Sequence, residues 1–224
     1  TRPNAVTNIK VERNSTYPNS QLDISWTKPS EASGVCIFYS TGTDLSKADG
    51  GDFVTNKTSS TIKYLTPGTK YNFWVVSYAG AAPDYSDIQK GTSLNTTTPA
   101  TYASCYTKPK EITNPAVTAT TTTSATLSWK KASEGTCSGY KIYVQDITGG
   151  QVSLNYNSYV SSDKTTIIIS NLTAGHKYKF DIRAYAATLR ERWLLMECRF
   201  PLMRSVMRNI LRETMSTGRL WRRN

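Results

Sequence analysis

At 224 residues the chain can hold one large or two ordinary domains, each with a core of useful size. Its formal charge of +11 is unevenly divided: residues 1–188 carry fifteen Lys and three Arg against thirteen acidic residues, net +5, and residues 189–224 carry nine Arg, no Lys and three Glu, net +6. Half of the basicity belongs to the tail, so no general affinity for nucleic acid is implied; with one His, no Cys-x-x-Cys pair and no phosphate-cradling Gly loop, the composition also argues against catalysis.

The chain opens on Thr1 without a Met or a signal peptide, as a mature chain or an excised fragment would. Its first segment, TRPNAVTNIKV (residues 1–11), returns as TKPKEITNPAV (residues 107–117), an offset of 106. LDISWTKPSE (residues 22–31) returns as ATLSWKKASE (residues 125–134), and YLTPGTKYNFWV (residues 64–75) as SNLTAGHKYKFDI (residues 170–182). This is a tandem repeat. Within each copy the apolar period is two: Leu22, Ile24 and Trp26, then Tyr71, Phe73 and Val75, then Leu127 and Trp129, then Tyr178, Phe180 and Ile182. Such alternation predicts strands with one buried face, and short runs separated by Gly, Asn, Asp and Pro predict an all-β antiparallel sandwich in each copy.

The Trp near the end of the second strand (Trp26, Trp129) and the corner Leu-x-Pro-Gly-x-x-Tyr make the chain resemble the fibronectin type III family. The corner is Leu65, Pro67, Gly68 and Tyr71 in the first copy and Leu172, Ala174, Gly175 and Tyr178 in the second, with Ala in place of Pro. Leu plugs the core, Gly permits the turn and the Tyr hydroxyl ties the corner to upstream backbone. The resemblance implies two immunoglobulin-like sandwiches in tandem, strands A, B and E facing C, C′, F and G. It divides the chain into domain 1 (residues 1–99, with residues 85–99 as its last strand and exit), a linker (100–110), domain 2 (111–188, its G strand missing) and an atypical Arg/Met-rich tail (189–224).

The tail holds every Met of the chain: Met196, Met203, Met207 and Met215. Three readings stay open, one of them an unrelated fused or disordered tail. From residue 202 to 215, Met203, Val206, Met207, Ile210 and Leu211 recur at helical spacing opposite Arg204, Arg208 and Arg212, a basic amphipathic helix suited to an anionic membrane, a partner groove or a nucleic-acid backbone. Alternatively the tail is read in a shifted frame: one nucleotide forward, its codons permit GYSWSAVS, which compares with DYSDIQKG (residues 84–91) of the first copy and would open a G strand. Otherwise no apolar run is long enough to span a bilayer.

Four Cys suggest an oxidising compartment. In the implied fold, Cys105 of the linker and Cys137 of the BC loop share a pole, and a Cys105–Cys137 bridge is expected to staple the linker to domain 2. Cys36 points outward by alternation, and Cys198 depends on the tail's frame. Sequons fall at Asn14, Asn56, Asn95 and Asn171. His176 reads as a solvated turn residue, and Asp84 and Asp87 as loop carboxylates with at most weak calcium affinity. The fourteen Tyr exceed what two such cores need, which makes Tyr85, Tyr102, Tyr106, Tyr156 and Tyr159 candidate contact residues. No cofactor is called for. The expectation is a non-catalytic extracellular spacer or adhesion module of a larger secreted or surface protein. Its partners would be a protein or glycan and neighbouring repeats, not nucleic acid, with a membrane only if the tail helix forms. The alternatives are a receptor ectodomain of cytokine-receptor type and an accessory region of a secreted polysaccharide-degrading enzyme.

Overall fold

A computed structural model describes residues 1–97, 102–150 and 153–187. The first repeat runs β1 (Thr7–Arg13), β2 (Leu22–Thr27), β3 (Gly34–Ser40), β4 (Asp49–Val54), β5 (Ser59–Ile62), β6 (Lys70–Tyr78), a short helix α1 (Tyr85–Lys90) and β7 (Ala103–Tyr106). The second runs β8 (Thr113–Thr120), β9 (Ala125–Lys130), β10 (Gly139–Asp146), β11 (Ser153–Ser161), β12 (Thr166–Ile169) and β13 (Tyr178–Tyr185). In the first repeat, sheet β1-β2-β5 faces sheet β4-β3-β6-β7; in the second, β8-β9-β12 faces β11-β10-β13. All the pairings are antiparallel, so the chain is all-β with two sandwiches in tandem.

The repeats agree down to backbone conformation. Asn8 (φ 52°) and Asn114 (φ 50°) both take the left-handed region, each inside a register shift between the first two strands of its sandwich. Asn accepts that conformation more readily than most residues, and the extra residue twists the edge strand. The period-two positions fill the cores. Leu22, Ile24, Trp26, Val35, Ile37, Phe73 and Val75 cluster in the first sandwich, and Leu127, Trp129, Tyr140, Ile142, Val144 and Ile169 in the second.

The first departure from the sequence reading concerns β3 and β6. Cys36, Phe38, Trp74 and Val76 face away from the first core, yet all are buried, because α1 and the 3-10 turn Leu45–Lys47 cover that side. Residues 85–99 therefore do not supply the last strand. Tyr85–Lys90 is helical, closed by Gly91 in the left-handed region at φ 71°, whose N–H reaches the carbonyls of Asp87 and Ile88. An isolated helix this short would not persist in water. Burying Ile88 against Trp74 and Val76 supplies about 1.5–3 kcal/mol and holds it. The closing strand lies instead in the stretch taken as linker: β7 pairs Cys105 with Tyr71 and Ala103 with Phe73.

The second departure concerns the edge of the second sandwich. Among the described residues β13 pairs with β10 alone, and a groove of about 760 Å³ runs between β8 and β13 past Val117, Leu127, Phe180 and Ile182. Phe180 and Ile182 are half-buried there, whereas their counterparts Phe73 and Val75 beside β7 are 0% and 3% exposed. The missing G strand, the amphipathic helix, the shifted frame and Cys198 all concern residues 188–224, which lie outside the described residues. No helix among those described is long and apolar enough to cross a membrane.

Candidate functional site

Both corners form. The Tyr71 hydroxyl accepts from Thr66 N–H at 3.0 Å and the Tyr178 hydroxyl from Thr173 N–H at 2.8 Å. Gly68 (φ 68°) and Gly175 (φ 77°) both sit in the left-handed region, where a side chain is strained. Leu65 is buried and Leu172 packs against the second core. Trp26 and Trp129 are 4% and 3% exposed, each in the core of its sandwich.

The corner of the first sandwich also makes the joint with the second. Thr136 N–H donates to the Pro67 carbonyl at 3.0 Å, and its Oγ1 to the Gly68 carbonyl at 2.9 Å. A Cβ on Gly68 would stand 1.6 Å from the Thr136 carbonyl oxygen. Arg13 bridges the two sandwiches, its Nε donating to the Tyr106 carbonyl at 2.7 Å and its Nη2 to the Ala186 carbonyl at 3.0 Å. Asn19 Nδ2 donates to the carbonyls of Lys108 and Pro109 at 3.1 and 2.9 Å. Hydrogen bonds therefore hold the joint, and the expected Cys105–Cys137 staple does not form. Cys105 belongs to β7 and packs on the first core. Cys137 is a free thiol packed against the second core beside Tyr140. Burial first, and that thiol second, push the Tyr140 phenol up to about 12. Cys36 is also a free thiol, wholly buried beneath α1, and its pKa is raised by desolvation.

The candidate tyrosines separate by environment. Tyr85 packs its ring on Phe38 and Phe53 at centroid distances of 5.6 and 4.7 Å and helps seal the first sandwich. Tyr102 is 41% exposed and lies over Trp74, 5.4 Å between centroids. Tyr106 gives its carbonyl to Arg13 at the joint. Tyr156 takes its place in β11 opposite Val144. Tyr159 stands on the outward face of the second sandwich, edge-on to Tyr185 at 5.6 Å.

On that same outward face the structure gathers residues that the sequence reading passed over. Alternation along β10 and β13 turns Tyr140, Ile142, Phe180 and Ile182 inward and Lys141, Tyr143, Arg183 and Tyr185 outward. Lys141 Nζ lies 4.6 Å from the Tyr143 ring centre and 5.5 Å from that of Tyr159, and the Arg183 guanidinium 5.0 Å from Tyr143. Each such contact contributes on the order of 0.5–1 kcal/mol at an exposed site. Asp181 accepts from Arg183 Nε at 2.7 Å and fixes the guanidinium over the ring. The equivalent face of the first sandwich is the one closed by α1. The signal was available, since period two in GYKIYVQD and YKFDIRAY puts cations and tyrosines on one face once the two strands are known to be neighbours.

The remaining polar candidates serve the fold. His176 is tied to Asp146, Nδ1 to Oδ2 at 2.7 Å, instead of standing free in its turn. That bond, helped by the Thr148 amide, holds the Asp146 carboxyl down at about 2. Asp84 stands at the N-cap position of α1, and Asp87 lies in its first turn, accepting from Thr92 Oγ1 at 3.3 Å. Among the described residues no three His, Cys, Asp or Glu side chains converge as metal ligands would. Of the sequon residues, Asn14 and Asn95 are half-buried and Asn56 and Asn171 exposed.

Two antiparallel sandwiches with a tyrosine corner in each define a tandem array of immunoglobulin-like modules. The family model of the fibronectin type III domain matches residues 4–88 and 108–193, and the chain belongs to that family. It is 30% identical over 185 residues to the mouse receptor-type tyrosine-protein phosphatase eta, a match covering 81% of this chain and 13% of that protein. The chain thus corresponds to about an eighth of the length of that relative. Among solved structures it is similar to a two-domain fibronectin type III segment of chicken tenascin, at 19% identity and TM-score 0.48, over 82% of this chain and 93% of that one. It is also similar to the FN1–FN3 domains of chicken CNTN1, at 17% identity and TM-score 0.37, over 83% and 63%. Domains of this family are generally non-catalytic, and they occur in receptor-type proteins such as that phosphatase.

Proposed function

We propose that the chain is a non-catalytic extracellular module of a larger secreted or surface protein, holding a binding face for a protein or glycan at a fixed distance from its neighbouring repeats. One observation carries this reading: the outward face of β10, β11 and β13, which no other described element covers, bears Tyr143, Tyr159, Lys141 and Arg183 in contact with one another. Tyr and Arg are enriched at interfaces, Tyr because its rigid ring covers a large area at low entropic cost. Cations already stacked on rings lose less freedom when a partner docks. Arg13, Asn19 and Thr136 fix the joint and so set where that face is presented.

The test is cell attachment to surfaces coated with the chain. Tyr143→Ala combined with Arg183→Ala should lower attachment severalfold with circular dichroism unchanged, while Tyr85→Phe, on the sealed face, should not. Attachment that ignores the double variant sinks the assignment of the face. A second reading, a receptor ectodomain, is favoured by the similarity to a receptor-type phosphatase. It gains support if the full gene places a membrane span after the repeats.

A further inference from the structure

The four sequons are chemically equivalent in sequence, but the fold uses their side chains differently. Asn95 Nδ2 donates two hydrogen bonds, to the carbonyls of Ala79 and Ala81, both at 2.9 Å, and its Oδ1 accepts from Ser93 Oγ at 3.0 Å. It is the peg that closes the loop after β6. Asn14 Nδ2 donates to both carboxylate oxygens of Asp23 at 3.1 Å, and its Oδ1 accepts from the amides of Thr16 and Tyr17 at 3.0 and 2.9 Å. It shapes the turn between β1 and β2. Asn56, in the turn between β4 and β5, and Asn171, beside the second corner, are exposed. Among the described residues neither side-chain amide has a hydrogen-bond partner.

Resting on the extracellular reading above, we propose that Asn56 and Asn171 carry N-linked glycans in the folded, secreted protein and that Asn14 and Asn95 do not. In the transfer, the amide nitrogen attacks C1 of a lipid-pyrophosphate-linked oligosaccharide. The N–C1 bond forms as the C1–O bond breaks, the lipid pyrophosphate leaves with the bonding pair, and one amide proton is released. The modified nitrogen keeps a single hydrogen. Asn95 then cannot serve both of its carbonyls, and a sugar at either Asn95 or Asn14 must grow from a half-buried nitrogen that the fold already engages. Transfer acts on the unfolded chain, so the filter is folding: molecules modified at these two positions do not reach the folded pool. At Asn56 and Asn171 nothing is displaced.

The first sandwich supplies an internal control for Asn171. Tyr64 precedes Leu65 as Asn171 precedes Leu172, and both take left-handed backbone, φ 61° in each. Tyr64 is 96% exposed, although Pro67 and Gly68 on the same corner touch the second sandwich through Thr136. A side chain at this position therefore projects clear of an adjoining sandwich, and a glycan at Asn171 leaves the corner free to contact a neighbouring repeat.

The experiment secretes the full chain from a eukaryotic host, releases the glycans enzymatically in ¹⁸O water, and reads each former glycan site as a heavy Asp by peptide mass spectrometry; the natural protein is treated alongside. Label is expected at Asn56 and Asn171 and not at Asn14 or Asn95. Asn56→Gln and Asn171→Gln should each remove one glycan from the intact mass, and the double variant both. Label at Asn14 or Asn95 in folded secreted protein at a level matching the other two, or bare Asn56 or Asn171, overturns the assignment. If the natural protein bears no sugar while the host-secreted chain is labelled at Asn56 and Asn171, the natural chain does not pass through a glycosylating secretory pathway and the assignment fails for it, while the sorting of the sites by the fold stands for the host-secreted chain.

Discussion

The two corner glycines offer a matched pair of perturbations, because their backbones are alike and their surroundings are not. Gly175→Ala places a Cβ in open space at φ 77°, so only the conformational cost applies. A left-handed Ala costs about 1–2 kcal/mol, partly offset by roughly 0.4–1 kcal/mol of unfolded-state entropy, which leaves a loss near 1 kcal/mol. Gly68→Ala carries the same cost at φ 68° and also drives its Cβ to 1.6 Å from the Thr136 carbonyl oxygen and 2.6 Å from the carbonyl carbon. No rotamer relieves that overlap. The sandwiches must move apart, breaking the bonds from Thr136 to Pro67 (3.0 Å) and to Gly68 (2.9 Å). Two such bonds add about 1–3 kcal/mol, for a total loss near 2–4 kcal/mol. Urea unfolding followed by Trp fluorescence reads the stability, and small-angle scattering reads the joint. Gly68→Ala should cost more and broaden the distribution of interdomain distances; Gly175→Ala should leave that distribution unchanged. Equal losses with an unaltered distribution would refute the packed joint.

Burial and hydrogen bonding set the other expectations. Ile88→Ala should cost about 2–4 kcal/mol through the cavity left under α1, and should speed modification of the Cys36 thiol by an aromatic disulfide reagent relative to the parent, in which Cys36 is 0% exposed. Tyr71→Phe and Tyr178→Phe each remove the acceptor of a corner N–H and should lower stability by about 1 kcal/mol in denaturant titrations. The Asp146 carboxyl, held at about 2 against an ordinary 3.8, stabilises the fold above its ordinary value and loses that contribution as pH falls through about 2. His176→Ala should bring its titration back toward 3.8, read by carboxyl ¹³C shifts. The second sandwich, whose Phe180 and Ile182 are only half-buried, should show weaker amide-exchange protection in β13 than the first shows in β6.

Period two and the two corners were sufficient for the fold class, because alternation states which side of a strand is buried without reference to any partner, and a corner is a local device. The same locality explains the legible part of the binding face: Tyr159 stood out as a surplus tyrosine, but Tyr143, Lys141 and Arg183 became a group only when β10 and β13 proved to be neighbours. α1 was hidden for a related reason. YSDIQK has no helical stability of its own and is helical because Phe38, Trp74 and Val76 offer it an apolar surface, so the strand expected at residues 85–99 moved to Ala103–Tyr106. Cys105 and Cys137 looked like partners along the chain and were assigned to different cores by the placement of β7. Nothing in the four sequons distinguishes Asn95 from Asn171; the carbonyls of Ala79 and Ala81 do. What depends on a residue and its near neighbours the sequence determines. What depends on which distant surface a residue meets is decided only when the two sheets close on each other.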